Sequence, residues 1–300
     1  MFSNLSINGL PNWDIMILKI LIGLMVIVGL MIVIVGYGYR SATKLPDNNP
    51  ESFLASGKKT EKVVVCIGDS ITHGRVSHNY VDELENRYSD RDVSFVNAGI
   101  NSELSYNVLL RIDQVVKCAP DFITILIGTN DASATLNEKN AARYVKKQNL
   151  PRIPNRHWYE ENLIAIIDIL QEKTTARIGL LSLPPITEDR THSGYQRTAE
   201  YSGFIKKLAG QRNLAYLPLN ELMDEILQTR DSQIKSSYVA GKYGLMYKAI
   251  FSHYILGQSW DEIAENNGFV FLTDNLHLNL RGALLATELI DGFLAVSTPK

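Results

Sequence analysis

Val63-Val64-Val65-Cys66-Ile67-Gly68-Asp69-Ser70-Ile71-Thr72-His73-Gly74 is the stretch on which the fold turns. Its first five residues are apolar and four of them are β-branched, the composition of a strand buried on both faces. The strand ends in a Gly-Asp-Ser turn, which leaves Ser70 at its carboxyl end. Open α/β sheets bind and transform ligands at that edge. A serine there can serve as a nucleophile if a base and an oxyanion site converge on it.

Outward from this strand the chain alternates. Strands are expected at 62–67, 93–97, 122–127, 177–183 and 215–217, and helices at 78–88, 105–116, 160–173, 195–211 and 280–293. Such alternation predicts a parallel sheet of about five strands covered on both faces. Residues 132–157 and 227–267 fall outside a minimal layout. The second stretch holds Tyr238, Tyr243, Tyr247, Phe251, Tyr254 and Trp260, which reads as extra core, with a lid over a site as the alternative.

Three more polar blocks sit at expected element ends: Asn97-Ala98-Gly99-Ile100-Asn101-Ser102-Glu103, Gly128-Thr129-Asn130-Asp131 and Asp274-Asn275-Leu276-His277. Each has a chemical use. His277 can take a proton from Ser70 near neutral pH. Asp274, three residues earlier, can orient the imidazole and stabilise its charged form. The Asn130 side-chain amide, the Ser70 N–H and an N–H of the Asn97 block can donate to an oxyanion. Taken singly these blocks have plainer readings: Gly-Asp-Ser is a common turn, Asn130-Asp131 suits an Asx turn, and Asp274-x-x-His277 suits a helix cap or a metal ligand pair. Four blocks in this order, each at an element end, are not explained that way. Asp69 reads as a turn former and His73 as a supporting or capping side chain.

Composition narrows the class. The chain has 300 residues, with 30 basic against 32 acidic side chains, a balance that gives no electrostatic reason to expect nucleic acid as a partner. The two cysteines, Cys66 and Cys118, form no zinc-type cluster and read as buried thiols. No cofactor or metal is expected. The exception to a soluble profile is residues 20–39, about 20 residues without a charge, long enough to cross the hydrocarbon core as a helix. Trp13, Tyr37 and Tyr39 flank the run as interfacial aromatics do. It is longer than a signal-peptide core, and Gly36-Tyr37-Gly38-Tyr39-Arg40 makes a poor cleavage site, so a retained single-pass anchor is expected. Cation counting favours the C-terminal side in the cytoplasm, whereas anchored hydrolases often face outward. The expected organisation is a tail at 1–14, a membrane helix at 15–39, a polar linker at 40–61 and one domain at 62–300, with 227–267 inserted.

Gly-Asp-Ser-Ile-Thr-His-Gly, Gly-Thr-Asn-Asp and Asp-x-x-His together resemble the SGNH/GDSL hydrolase superfamily over roughly residues 61–293. The resemblance implies a flavodoxin-like three-layer α/β/α sandwich. It also implies a triad of Ser70, His277 and Asp274, with Ser70, Ser102 and Asn130 forming the oxyanion hole. No Gly-x-Ser-x-Gly elbow surrounds Ser70, unlike an ordinary α/β-hydrolase. One position departs from the pattern: the second block of the superfamily carries a later glycine where this chain has Ser102. If the loop needs a positive φ there, serine adds strain. The function this implies is a membrane-anchored serine esterase acting on lipid or acyl esters or on O-acetyl esters of glycans. The alternative is a non-catalytic, membrane-tethered binding module that keeps the fold.

Overall fold

The computed structural model describes residues 12–229 and 234–295. Five strands, β1 (Lys62–Gly68), β2 (Val93–Gly99), β3 (Phe122–Leu126), β4 (Arg177–Leu181) and β5 (Ala215–Leu217), form one sheet in the order β2-β1-β3-β4-β5. Every pairing is parallel. All residues of β1 after Lys62 are buried, as a strand covered on both faces requires. Because the order doubles back after β1, a topological switch point lies between β1 and β3. Gly68 stands in register with Gly99 on one side and Leu126 on the other. The loops that follow β1, β2 and β3 therefore leave the sheet at one rim.

Helices precede and follow the first strands: α1 (Asn12–Thr43), α2 (Pro50–Ser56), α3 (Ser70–His73), α4 (Tyr80–Arg87), α5 (Ser105–Leu110), α6 (Ile112–Lys117) and α7 (Thr129–Ala134). The remainder are α8 (Glu138–Gln148), α9 (Arg156–Lys173), α10 (Ser193–Gln211), α11 (Leu219–Gln228), α12 (Gly244–Tyr254), α13 (Trp260–Asn267) and α14 (Leu280–Ala295). Helices α4 and α14 pack together beside the sheet, while α5, α6 and α10 gather on α9, which gives the three-layer sandwich. Their starts are written locally. Asn79, Asn137 and Asn155 cap α4, α8 and α9 through their side-chain oxygens, and Ser259 and Glu262 form a capping box on α13.

Three expectations are corrected. The helix expected at 105–116 breaks at Arg111, which leaves helical geometry at φ −116 and ψ 13. Its guanidinium is drawn to the buried Glu103 carboxylate at 2.7 Å and the Ala98 carbonyl at 2.8 Å. The linker expected at 40–61 is docked. Its prolines and asparagines act as capping devices: Asn49 accepts from Ser52 N–H, Pro50 opens α2 and Gly57 closes it. The Asn48 carbonyl accepts from Asn97 N–H at 3.0 Å, and α2 rests on α6 and β2. The insertion expected at 227–267 starts inside the last turn of α11.

Of the expected tail at 1–14, residues 1–11 lie outside the described residues. Helix α1 already begins at Asn12 and continues past residue 39 to Thr43. Within it, Met16–Thr43 is long and apolar enough to cross a membrane, with a mean hydropathy of 3.0 and no burial in its apolar window; a signal sequence has the same property. Among its described residues the packing is at its C-terminal end, where Gly38 lies against Ile250 and Ile255 beside α12.

Candidate functional site

Ser70 opens α3 directly after β1. Asp69 caps that short helix by accepting Ile71 N–H at 3.0 Å, and Gly74 closes it in the left-handed region. The end of β2 presses against α3: a Cβ placed on Gly99 would lie 2.2 Å from the His73 nitrogen. Asn97 ties the same contact by donating from Nδ2 to the Thr72 carbonyl at 2.7 Å.

The loop carrying His277 reaches Ser70 through main-chain stitching. His78 N–H donates to the Leu278 carbonyl at 2.8 Å, and Leu278 N–H donates to Ser77 Oγ at 3.0 Å. The buried Glu188 carboxylate accepts N–H bonds from Val270, Phe271 and Leu272 and holds the loop from behind. His277 Nε2 thereby lies 2.9 Å from Ser70 Oγ, while Nδ1 lies 2.7 Å from Asp274 Oδ2. Asp274 Oδ1 accepts the N–H groups of Leu276 and His277 at 3.0 Å each, which locks the turn. This carboxylate, imidazole and hydroxyl are all buried. The row can withdraw a proton from the serine and hold the resulting imidazolium.

The donors expected for an oxyanion are less uniform. Ser102 lies beside Ser70 and Asn130 in one cavity wall. Its φ is +66, so the backbone does demand the left-handed geometry that a glycine fits. Serine holds it by side-chain and main-chain anchors on α8: Lys147 Nζ donates to Ser102 Oγ at 2.6 Å, and Gln148 Nε2 donates to its carbonyl at 2.8 Å. Asn130 is fixed from both ends. Tyr144 donates to Oδ1 at 2.7 Å, and Nδ2 donates to the Glu103 carbonyl at 2.9 Å and to Asp69 Oδ2 at 3.2 Å. Its amide hydrogens are thus engaged, and the longer bond to Asp69 is the one an incoming oxyanion can displace.

Burial dominates the electrostatics. Desolvation pushes Asp69 up to about 7 and Asp131 up to about 6, the latter despite hydrogen bonds from Ser105. His73, buried behind Ser70, is held down at about 4 by desolvation and by the Arg75 charge. It contacts neither Ser70 nor His277 by hydrogen bond among the described residues and its Nδ1 has no partner. Cys66 and Cys118 are buried free thiols, pushed up to about 12 and about 11.

Ser70 and His277 open into a cavity of about 310 Å³. Tyr39, Ala42 and Leu45, from the end of α1 and just beyond, form one wall, and Tyr243, Tyr247 and Ile250 form another. The aromatic segment at 227–267 is therefore divided. Tyr238 and Trp260 are core, whereas Tyr243 and Tyr247 line the cavity. Phe251 is turned outward, 43% exposed, and Tyr254 donates to the Arg75 carbonyl instead. Sequence reasoning missed the α1 wall, Glu188, and Arg143, Tyr144 and Lys147 on α8. The four-residue spacing of Arg143 and Lys147 was the available sign of a shared helix face.

A doubly wound parallel sheet with serine, histidine and carboxylate joined at its switch point defines the class as an SGNH-type α/β hydrolase. The solved structures it resembles have that fold. The acetylxylan esterase Axe2 from Geobacillus stearothermophilus aligns at 16% identity over 80% of this chain and 96% of its own, with a TM-score of 0.54. A lipase/acylhydrolase from Enterococcus faecalis aligns at 22% identity over 80% and 98%, with a TM-score of 0.52. LAE5, an alpha/beta hydrolase enzyme from the metagenome of Lake Arreo, Spain, aligns at 17% identity over 81% and 99%, with a TM-score of 0.53. No curated protein matches the chain. The model of the GDSL-like lipase/acylhydrolase family matches residues 66–283, well over half the length, and the chain belongs to that family. It is an ester-hydrolysing serine hydrolase.

Proposed function

We propose that this hydrolase is held at a membrane by α1 and cleaves acyl esters with Ser70 as nucleophile, His277 as base and Asp274 as its orienting carboxylate. The observation that carries the reading is the unbroken run of hydrogen bonds from Asp274 through His277 to Ser70. Ser70 Oγ attacks the ester carbonyl as its proton passes to His277 Nε2. The carbonyl oxygen gains negative charge, which the N–H groups of Ser70 and Ser102 and the Asn130 amide stabilise. Collapse breaks the ester C–O bond, and His277 returns the proton to the departing alcohol. Water, deprotonated by His277, then attacks the acyl-serine, releasing the acid and restoring Ser70.

Lipid or acyl esters are favoured over small O-acetyl groups by the apolar walls supplied by Leu45, Tyr247 and Ile250. The end of α1 lies in that wall, so a chain anchored through α1 has its cavity beside the bilayer surface. The test is fluorophosphonate labelling of the detergent-solubilised full chain, with a p-nitrophenyl ester series of increasing acyl length. Wild type should label and hydrolyse, and Ser70→Ala should lose both, with a rate drop of roughly 10⁴-fold or more. Undiminished labelling or turnover in Ser70→Ala would refute the assignment. A chain that never labels would favour the binding-module reading.

A further inference from the structure

Two cations face the cavity that holds Ser70, and the described residues lining it include no carboxylate. Arg143 and Lys147 stand one turn apart on α8. The Arg143 guanidinium carbon lies over the Tyr243 ring, 3.4 Å from its centroid, a cation–π contact that holds the head group in place. Its Nη1 is buried with no hydrogen-bond partner among the described residues. A buried charged donor without an acceptor costs more than a lost neutral hydrogen bond. Among the described residues, Lys147 Nζ donates only to the neutral Ser102 hydroxyl. Neither side chain forms an ion pair with a carboxylate among the described residues. The carboxylates near the site are committed elsewhere: Glu103 to Arg111, Asp131 to Ser105 and Asp274 to His277.

We infer that the ester cleaved here carries a negatively charged group, a phosphate or a carboxylate, close to its scissile carbonyl, and that Arg143 and Lys147 bind that group. This rests on the Ser70 esterase reading and adds the charge of the substrate to it. An anion between the two would supply the acceptor that Arg143 Nη1 lacks, and the planar guanidinium can present two N–H groups to one oxyanion. Lys147 sits on Ser102, whose N–H belongs to the proposed oxyanion hole. The bound charge is therefore placed within a few bonds of the reacting carbon. Tyr39, Leu45 and Ile250 leave the rest of the cavity to the acyl chain, so the substrate is an amphiphile with its charge on the α8 side.

The test uses the full chain in neutral detergent and three esters of similar size. These are neutral monobutyrylglycerol, butyrylglycerol phosphate with its charge on the alcohol side, and a glycerol hemisuccinate with its charge on the acid side. One of the charged esters should exceed the neutral one in kcat/KM by about ten- to a hundredfold, the scale of a charge-assisted hydrogen bond. Which one does so tells the side of the ester on which the charge lies. In Arg143→Gln and Lys147→Gln that ratio should collapse toward one, chiefly through KM, and Arg143→Lys should restore part of it. Wild type that hydrolyses all three equally, or a ratio that survives both glutamine variants, would overturn the inference while leaving the esterase reading intact. A chain that hydrolyses none of them and takes no fluorophosphonate would remove both.

Discussion

Asp69 sets a measurable pH dependence. Burial raises it to about 7, against an ordinary value near 4 in an unfolded chain. Between those values the folded chain holds one proton more than the unfolded chain, so this group makes stability fall as pH rises from about 4 to 7. Asp69→Asn keeps an oxygen to cap Ile71 and has no charge to bury. The melting temperature of the variant minus that of wild type should therefore climb between pH 5 and pH 8. Any pH-independent cost of the swap drops out of the slope, and a flat difference would contradict the assignment. Ser102 is the second test at this scale. At φ +66 a residue with a Cβ is strained and glycine is not. Ser102→Gly and Ser102→Ala both lose the Lys147 bond, so their comparison isolates the backbone. The glycine variant should be more stable by about 1 kcal/mol in denaturant titration; equal stabilities would mean that the loop relaxes.

At the scale of elements, the approach of β2 to α3 decides where the nucleophile sits. No side chain fits between Gly99 and the His73 backbone. Gly99→Ala should cost about 3 kcal/mol or more and weaken fluorophosphonate labelling, because α3 must move to admit the methyl group. A variant with unchanged melting temperature and labelling would show that the contact yields freely. The elements themselves were largely legible. The five strands lie close to where the alternating pattern predicted them. The signal is clearest in β1, whose apolar β-branched run is buried on both faces. It is weakest in β5, Ala215–Leu217, which is only partly buried and has no β-branched residue. Arg111 was not legible as a break, because the pull on it comes from Glu103 and Ala98, partners that only the folded loop supplies. The segment at 40–61 misled for a related reason. Proline and asparagine mark helix starts as readily as linkers, and docking on β2 and α6 distinguishes the two.

At the scale of the whole molecule, the anchored reading predicts that the full chain stays with membranes through a high-salt wash and leaves with detergent. Release by salt alone would count against a spanning α1. The chain by itself determined the sheet, the order of the polar blocks and the long apolar helix, because these follow from local periodicity and from residue types at strand ends. Tertiary structure alone decided that Ser70 and His277, some two hundred positions apart, meet at 2.9 Å. It alone also brought the end of α1 and the cations of α8 to the lining of one cavity. Such contacts join segments that share no local pattern, and they exist only once the sheet's switch point and the packed helices bring those segments to one rim.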